Sequence, residues 1–118
     1  MHVLICDDEP DIRALFRMAF EDAGATVDEA GDGDECIQLA GEHKPDLVIL
    51  DLYMPHRDGL ATLPALRETC PQVPVLVVSA HAAVEVFDAS RSRGATACFD
   101  KVSFVPRIPK LVERYCVA

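Results

Sequence analysis

The chain has 118 residues, half of them hydrophobic, and a formal net charge of −9. That length suits one domain spanning 1–118 around a single core, and the apolar share excludes a disordered chain. The acidic balance, with no basic cluster, argues against direct binding to nucleic acid or an anionic membrane.

No apolar run approaches the roughly 18 residues that cross a bilayer. The N-terminus lacks the basic flank and long apolar segment of a secretory signal, so a cytoplasmic location is expected. The five cysteines, Cys6, Cys36, Cys70, Cys98 and Cys116, are odd in number, and no pair has Cys-x-x-Cys spacing. They are expected to be reduced, mostly buried, and part of neither a disulfide framework nor a zinc site.

Val3-Leu4-Ile5-Cys6 is a short apolar run ending in Asp7-Asp8-Glu9. It reads as a buried strand with an acidic tip. Pro10 and Asp11 then open a helix, because Pro suits a first turn and Asp complements the helix dipole. Ile12, Leu15, Phe16, Ala19 and Phe20 recur at helical spacing, and Gly24 ends the helix. Thr26 to Ala30 is a weak strand near an edge, with Val27 its only strongly apolar residue. Gly31-Asp32-Gly33 turns into a second helix, which Gly41 and Pro45 are expected to close.

Leu47-Val48-Ile49-Leu50 is a third strand, buried on both faces, that ends abruptly in Asp51. After Gly59 comes a third helix with Pro64 inside its pattern, so a late start or a bend is expected. Val75 to Val78 is a fourth strand ending at Ser79, followed by a helix through Val84, Val86, Phe87 and Ala89 up to Gly94. A fifth strand, Ala95 to Phe99, ends at Asp100-Lys101. A last helix is expected from about Val105 to Tyr115. Strand-helix alternation repeated five times, with short connections, gives a doubly wound parallel α/β fold.

Right-handed crossovers bring the strand ends to one edge of the sheet, where ligands bind in such folds. Those ends carry Asp7, Asp8, Asp51, Ser79 and Lys101. A single charge after a strand is usually the start of a solvated loop. Three carboxylates together repel one another unless a cation neutralises them. A hard divalent cation such as Mg2+ does this with oxygen ligands. With a lysine and a hydroxyl facing the same carboxylate, the set suits phosphoryl transfer, Asp51 serving as nucleophile and forming an acyl phosphate. Backbone N–H groups after Asp51 and Ser79 would hold phosphoryl oxygens.

With these residues in place, the chain resembles the CheY-like receiver domain of two-component response regulators. The resemblance covers essentially the whole chain and rests on four motifs. These are Asp7-Asp8-Glu9, the stretch Asp51-Leu52-Tyr53-Met54-Pro55 through Asp58-Gly59-Leu60, Val78-Ser79-Ala80, and Gly94-Ala95 followed by Lys101. It implies a single receiver domain of flavodoxin-like (βα)5 fold, with a five-stranded parallel sheet in the order 2-1-3-4-5 and helices on both faces.

The resemblance further implies that Asp51 accepts phosphate from a histidine kinase or histidine phosphotransfer protein. Asp8, Asp51 and the carbonyl of Tyr53 would bind Mg2+ directly, and Asp7 through water. Lys101 would pair with the phosphoryl group and Ser79 would hydrogen-bond it. Catalysis would be limited to self-catalysed phosphotransfer and autodephosphorylation. The output would be the binding of an unidentified downstream effector, through the fourth helix, fifth strand and fifth helix. The chain would be either a stand-alone receiver or a piece of a longer regulator.

Three positions depart from the family pattern. Val102 follows Lys101 where Pro is usual, so a trans peptide is expected. Cys98 stands at the usual switch aromatic, and the adjacent Phe99 should face the other side of the sheet and serve as core. Tyr53 and His81 stand where side chains flank the phosphate, and a bulky Tyr53 is expected to shield it from water. Ala95-Thr96-Ala97 replaces the acidic pair of one dimerising type, so that dimer is not expected. Two rivals use the same residues: a small Mg2+-dependent aspartyl phosphatase, for which the chain leaves no room for a cap domain, and an interaction module that is never phosphorylated.

Overall fold

A computed structural model of the chain describes residues 1–54, 59–80 and 84–115. Strands β1 (His2–Cys6), β2 (Thr26–Ala30), β3 (Leu47–Leu50), β4 (Val75–Ser79) and β5 (Ala97–Asp100) alternate with five helices. The helices are α1 (Pro10–Asp22), α2 (Gly33–His43), α3 (Gly59–Thr69), α4 (Val84–Ser92) and α5 (Ile108–Tyr115). The strands pair in parallel in the order β2-β1-β3-β4-β5, as the alternation and the resemblance imply.

The central strands are apolar throughout because they are covered on both faces. Alternate residues feed two cores. Val3, Ile5, Ile49, Leu76 and Val78 meet Phe16 and Phe20 of α1 and Ile108, Leu111 and Val112 of α5. Phe104 anchors this side, its ring 5.1 Å from Phe16 and 5.5 Å from Phe99. Leu4, Cys6, Val48, Leu50 and Val77 meet Cys36 and Ala40 of α2 and Leu63 and Leu66 of α3. Each large apolar side chain removed from water contributes about 1.5–3 kcal/mol, which holds the sheet between its helices.

Several local expectations change. The helix α2 runs through Gly41, which was expected to help close it, and stops at Lys44, whose φ of 48° makes the left-handed turn just before Pro45. Lys44 precedes Pro45, which disfavours a right-handed helical residue there. The helix α3 does not start late: Pro64 lies in its interior. Pro64 has no N–H for the carbonyl of Leu60 four residues back, and Arg93 Nη1 donates to that carbonyl instead, at 3.3 Å. The last helix is shorter than expected, with two 3-10 turns, 101–103 and 105–107, before α5. Pro106 fits the start of the second turn and Pro109 the first turn of α5, but neither supports one continuous helix.

The cysteines bring a further correction. Cys6 and Cys36 are joined in a disulfide, with Cα atoms 5.9 Å apart, so not all five are reduced. The end of β1 and the first turn of α2 meet inside the second core, and 30 residues of separation hide this from any local motif. Cys70 and Cys98 are free; Cys116 lies outside the described residues. The Lys101–Val102 bond is trans as expected, there being no cis peptide among the described residues. Val102 uses the N–H that Pro would lack, donating it to Asp100 Oδ1 at 3.3 Å.

Candidate functional site

β1 and β3 are hydrogen-bonded neighbours, so their carboxyl ends emerge side by side. The ladder continues past both ends. Asp7 donates its N–H to the Ala30 carbonyl at 3.1 Å, and Asp51 donates its N–H to the Cys6 carbonyl at 2.9 Å. The two acidic residues therefore sit on a fixed backbone rather than on free loops. Asp7 and Asp51 are buried, whereas Asp8 is exposed, and carboxylate oxygens of all three lie within 4.8 Å of one another.

Lys101 reaches this cluster from the end of β5, two strands away from β3. Its Nζ lies 2.7 Å from Asp7 Oδ2 and 3.4 Å from Asp51 Oδ2. Burial pulls the Lys101 ammonium down, but Asp7, Asp51 and Glu9 outweigh it and hold the group above its ordinary value. Asp51 is pushed up to about 6, first by burial and then by the neighbouring Asp7 charge; Lys101 and the Tyr53 N–H pull it back only in part.

The remaining lone pairs are partly spoken for. Asp7 Oδ1 accepts the Glu9 N–H at 2.9 Å, and Asp51 Oδ1 accepts the Tyr53 N–H at 3.3 Å. Arg13 Nη1 donates to the Asp7 carbonyl at 2.7 Å and so ties α1 to the site. Gly59, at the start of α3, donates its N–H to the Leu52 carbonyl at 2.8 Å. A Cβ there would lie 2.5 Å from both the Asp51 carbonyl oxygen and Leu52 Cα, so the close approach of α3 to this loop requires glycine.

The structure thus brings Asp7, Asp8, Asp51 and Lys101 together. Ser79 ends β4, between the strands that carry Asp51 and Lys101. Its Oγ is buried and has no hydrogen-bond partner among the described residues. The Tyr53 side chain is 51% exposed and only its backbone engages Asp51. His81 and Pro55 to Asp58 lie outside the described residues. Cys98 faces the second core, its Sγ donating to the Phe87 carbonyl at 3.7 Å, while Phe99 turns to the first core, as the alternation predicts. Phe99 is only half-buried and so packs at the rim of that core, where Arg107 lies over its ring.

Two contributors were not given roles by the sequence. Glu9 Oε1 approaches Lys101 Nζ to 3.6 Å. Its place two residues after Asp7, in the same acidic tip, was the available signal. Gly59 was read only as a helix opener, and nothing local in the sequence announces its contact with the backbone at 51 and 52.

The donor set fits a hard divalent cation. The clustered carboxylates carry more negative charge than the one ammonium of Lys101 offsets, and all the ligand atoms offered are oxygens. The orphaned Ser79 hydroxyl is costly unless a polar group meets it.

The sequence pattern of the response regulator receiver domain matches residues 3–113. The transcriptional regulatory protein PdtaR of Mycobacterium tuberculosis is 38% identical over 96% of this chain and 57% of its own length. The nitrogen assimilation regulatory protein NtrX of Azorhizobium caulinodans is 33% identical over 95% of this chain and 25% of its own length. The chain therefore spans little more than half, or less, of these relatives. Among solved structures, the chemotaxis protein CheY4 of Vibrio cholerae superposes with a TM-score of 0.88 at 28% identity, covering 97% of each chain. A Burkholderia pseudomallei response regulator carrying a phosphorylated aspartic acid, a calcium ion and citrate has a TM-score of 0.87 at 25% identity, over 94% of this chain and 64% of its own. With a parallel sheet in the order β2-β1-β3-β4-β5 and acidic strand ends facing Lys101, this chain belongs to the response regulator receiver domain family.

Proposed function

We propose that Asp51 accepts a phosphoryl group from the phosphohistidine of a histidine kinase or histidine phosphotransfer protein. An Asp51 carboxylate oxygen attacks phosphorus, the P–N bond to the donor imidazole breaks, and an acyl phosphate forms. The observation that carries this reading is the convergence of Asp7, Asp8 and Asp51 oxygens within 4.8 Å, with Lys101 Nζ reaching in from β5.

Asp8, Asp51 and the Tyr53 carbonyl would hold Mg2+, with Asp7 acting through water. The ion when bound supplies positive charge to the phosphoryl oxygens. Lys101 moves its ammonium from the carboxylates to a phosphoryl oxygen, and Ser79 donates its free hydroxyl to another. Loss of the group follows by in-line attack of water, against which the exposed Tyr53 ring stands. The calcium ion and phosphorylated aspartate of the Burkholderia relative support the reading.

Phosphorylation would then alter the face formed by α4, β5 and α5, where an effector protein binds. That face has a groove lined by Phe99, Pro106, Arg107, Lys110, Leu111 and Arg114. Its three cations stand out in a chain of net charge −9. No helix among the described residues is long and apolar enough to cross a membrane.

Incubation with Mg2+ and acetyl phosphate, followed by intact mass measurement, tests the proposal. One phosphoryl group per chain, absent in Asp51→Asn, is expected. Catalytic consumption of many substrates would point to a phosphatase. No adduct from acetyl phosphate or a cognate kinase would leave an interaction module.

A further inference from the structure

At the opposite end of the sheet from Asp51, three side chains from distant parts of the sequence converge. His2 opens β1, Asp28 lies in β2, and His43 ends α2. His2 Nε2 lies 2.7 Å from Asp28 Oδ2, and His43 Nδ1 lies 2.5 Å from the same oxygen. The three ligand atoms fall within 4.8 Å of one another. Four strand steps separate His2 from Cys6, about 13 Å, so this cluster is separate from the acidic one beyond β1.

The hydrogen bonds around the cluster hold its side chains in place. Thr26 Oγ1 lies within hydrogen-bond distance of the Met1 carbonyl, at 3.3 Å. His2 Nδ1 shares a 2.8 Å hydrogen bond with Thr26 Oγ1, in which either atom can supply the proton. With Nε2 given to a metal, Nδ1 would carry the proton and donate it to Thr26 Oγ1, so the partner that orients a metal-ligating histidine is already in place. His43 presents a second imidazole to Asp28 Oδ2, on a side chain that is 46% exposed, so water can complete a coordination sphere.

We propose that His2 Nε2, Asp28 and His43 Nδ1 form a site for a divalent transition-metal ion of the zinc class. Two imidazoles and one carboxylate suit such ions, whereas Mg2+ prefers an all-oxygen set. The ion clamps β1, the edge strand β2 and the end of α2 together. It takes the place between carboxylate and imidazoles that protons occupy in the metal-free protein.

Calorimetric titration of the full chain with Zn2+, in excess Mg2+ to occupy the acidic strand ends, tests this. One Zn2+ per chain is expected. Asp28→Asn and His43→Ala should each weaken it by roughly tenfold or more, since even a partner that only orients a ligand is worth that much. Asp51→Asn should leave it unchanged. His43 is exposed, so its replacement leaves the core intact, and circular dichroism checks this for each variant. No Zn2+ uptake, or uptake indifferent to both Asp28→Asn and His43→Ala, overturns the site and leaves the three residues as a hydrogen-bonded cluster.

Discussion

Lys101 rests on Asp7, at 2.7 Å, and lies farther from Asp51, at 3.4 Å. The residue proposed to neutralise a phosphoryl group on Asp51 neutralises, before phosphorylation, the carboxylates proposed to hold the metal. Lys101 and a divalent cation therefore compete for the same negative charge. Replacement of Lys101 by Ala should tighten Mg2+ binding several-fold, measured by calorimetry or fluorescence at a pH well above 6, where Asp51 is ionised. The same variant should take up phosphate from acetyl phosphate more slowly, because the transferred group loses its ammonium partner. Weaker Mg2+ binding in Lys101→Ala would show that the lysine organises the carboxylates more than it competes with the metal.

Asp51 is held in the folded protein at a cost. Its carboxyl is pushed from 3.8 up to about 6 by burial and by Asp7. Between those values the folded state binds more protons than the unfolded one, so stability falls as pH rises through that window. Above it, the ionised Asp51 costs on the order of 2–3 kcal/mol in the metal-free protein. Asp51→Asn, which removes the charge and keeps the shape, should raise the urea midpoint at about neutral pH without metal. The gain should shrink towards pH ~4, where both forms carry a neutral group. A neutral-pH loss of stability in Asp51→Asn would mean that Lys101 and the Tyr53 N–H already satisfy the carboxylate.

Much of this was legible in the sequence because it is periodic or local. Val3 to Cys6, Leu47 to Leu50 and Val75 to Ser79 are followed by or end in a polar group, and parallel pairing brings such ends together whatever the details of the helices. Asp7, Asp8, Asp51 and Lys101 could thus be grouped from their places at the strand ends alone. What escaped depends on long-range geometry. Pro64 is accommodated because Arg93, 29 residues later in the chain, meets the carbonyl it abandons. Cys6 and Cys36, or His2, Asp28 and His43, meet only once α2 is laid beside β1 and β2. No spacing rule in one dimension reports those contacts.

Gly59 offers a stability test of the loop after Asp51. Its missing side chain lets α3 approach the backbone of Asp51 and Leu52, with a built Cβ only 2.5 Å from each contact. Backbone atoms cannot yield as a side chain tip can. Gly59→Ala should destabilise the protein by roughly 1–3 kcal/mol, as overpacking does elsewhere. It should also slow phosphate uptake at Asp51, since relief of the clash shifts the loop that carries the Tyr53 N–H. Urea unfolding and the acetyl phosphate assay on the same sample check both. A variant of unchanged stability would show that the loop moves aside freely.

Tyr53 bears on how long the phosphoryl group stays. Its N–H is tied to Asp51 Oδ1 while the residue is 51% exposed, so the side chain is not packed into the floor of the site. If Asp51 is phosphorylated as proposed, water attacks the acyl phosphate in line, opposite the Asp51 oxygen, and a bulky side chain beside the site would obstruct that path. Asn at the same position keeps the backbone N–H, and with it the contact to Asp51, but removes most of the screen. Tyr53→Asn should therefore shorten the lifetime of the phosphorylated protein several-fold, with little change in Mg2+ affinity. Single-turnover decay followed by intact mass gives the comparison directly. A longer lifetime in Tyr53→Asn, or a wild-type lifetime of only seconds, would show that the ring does not exclude water.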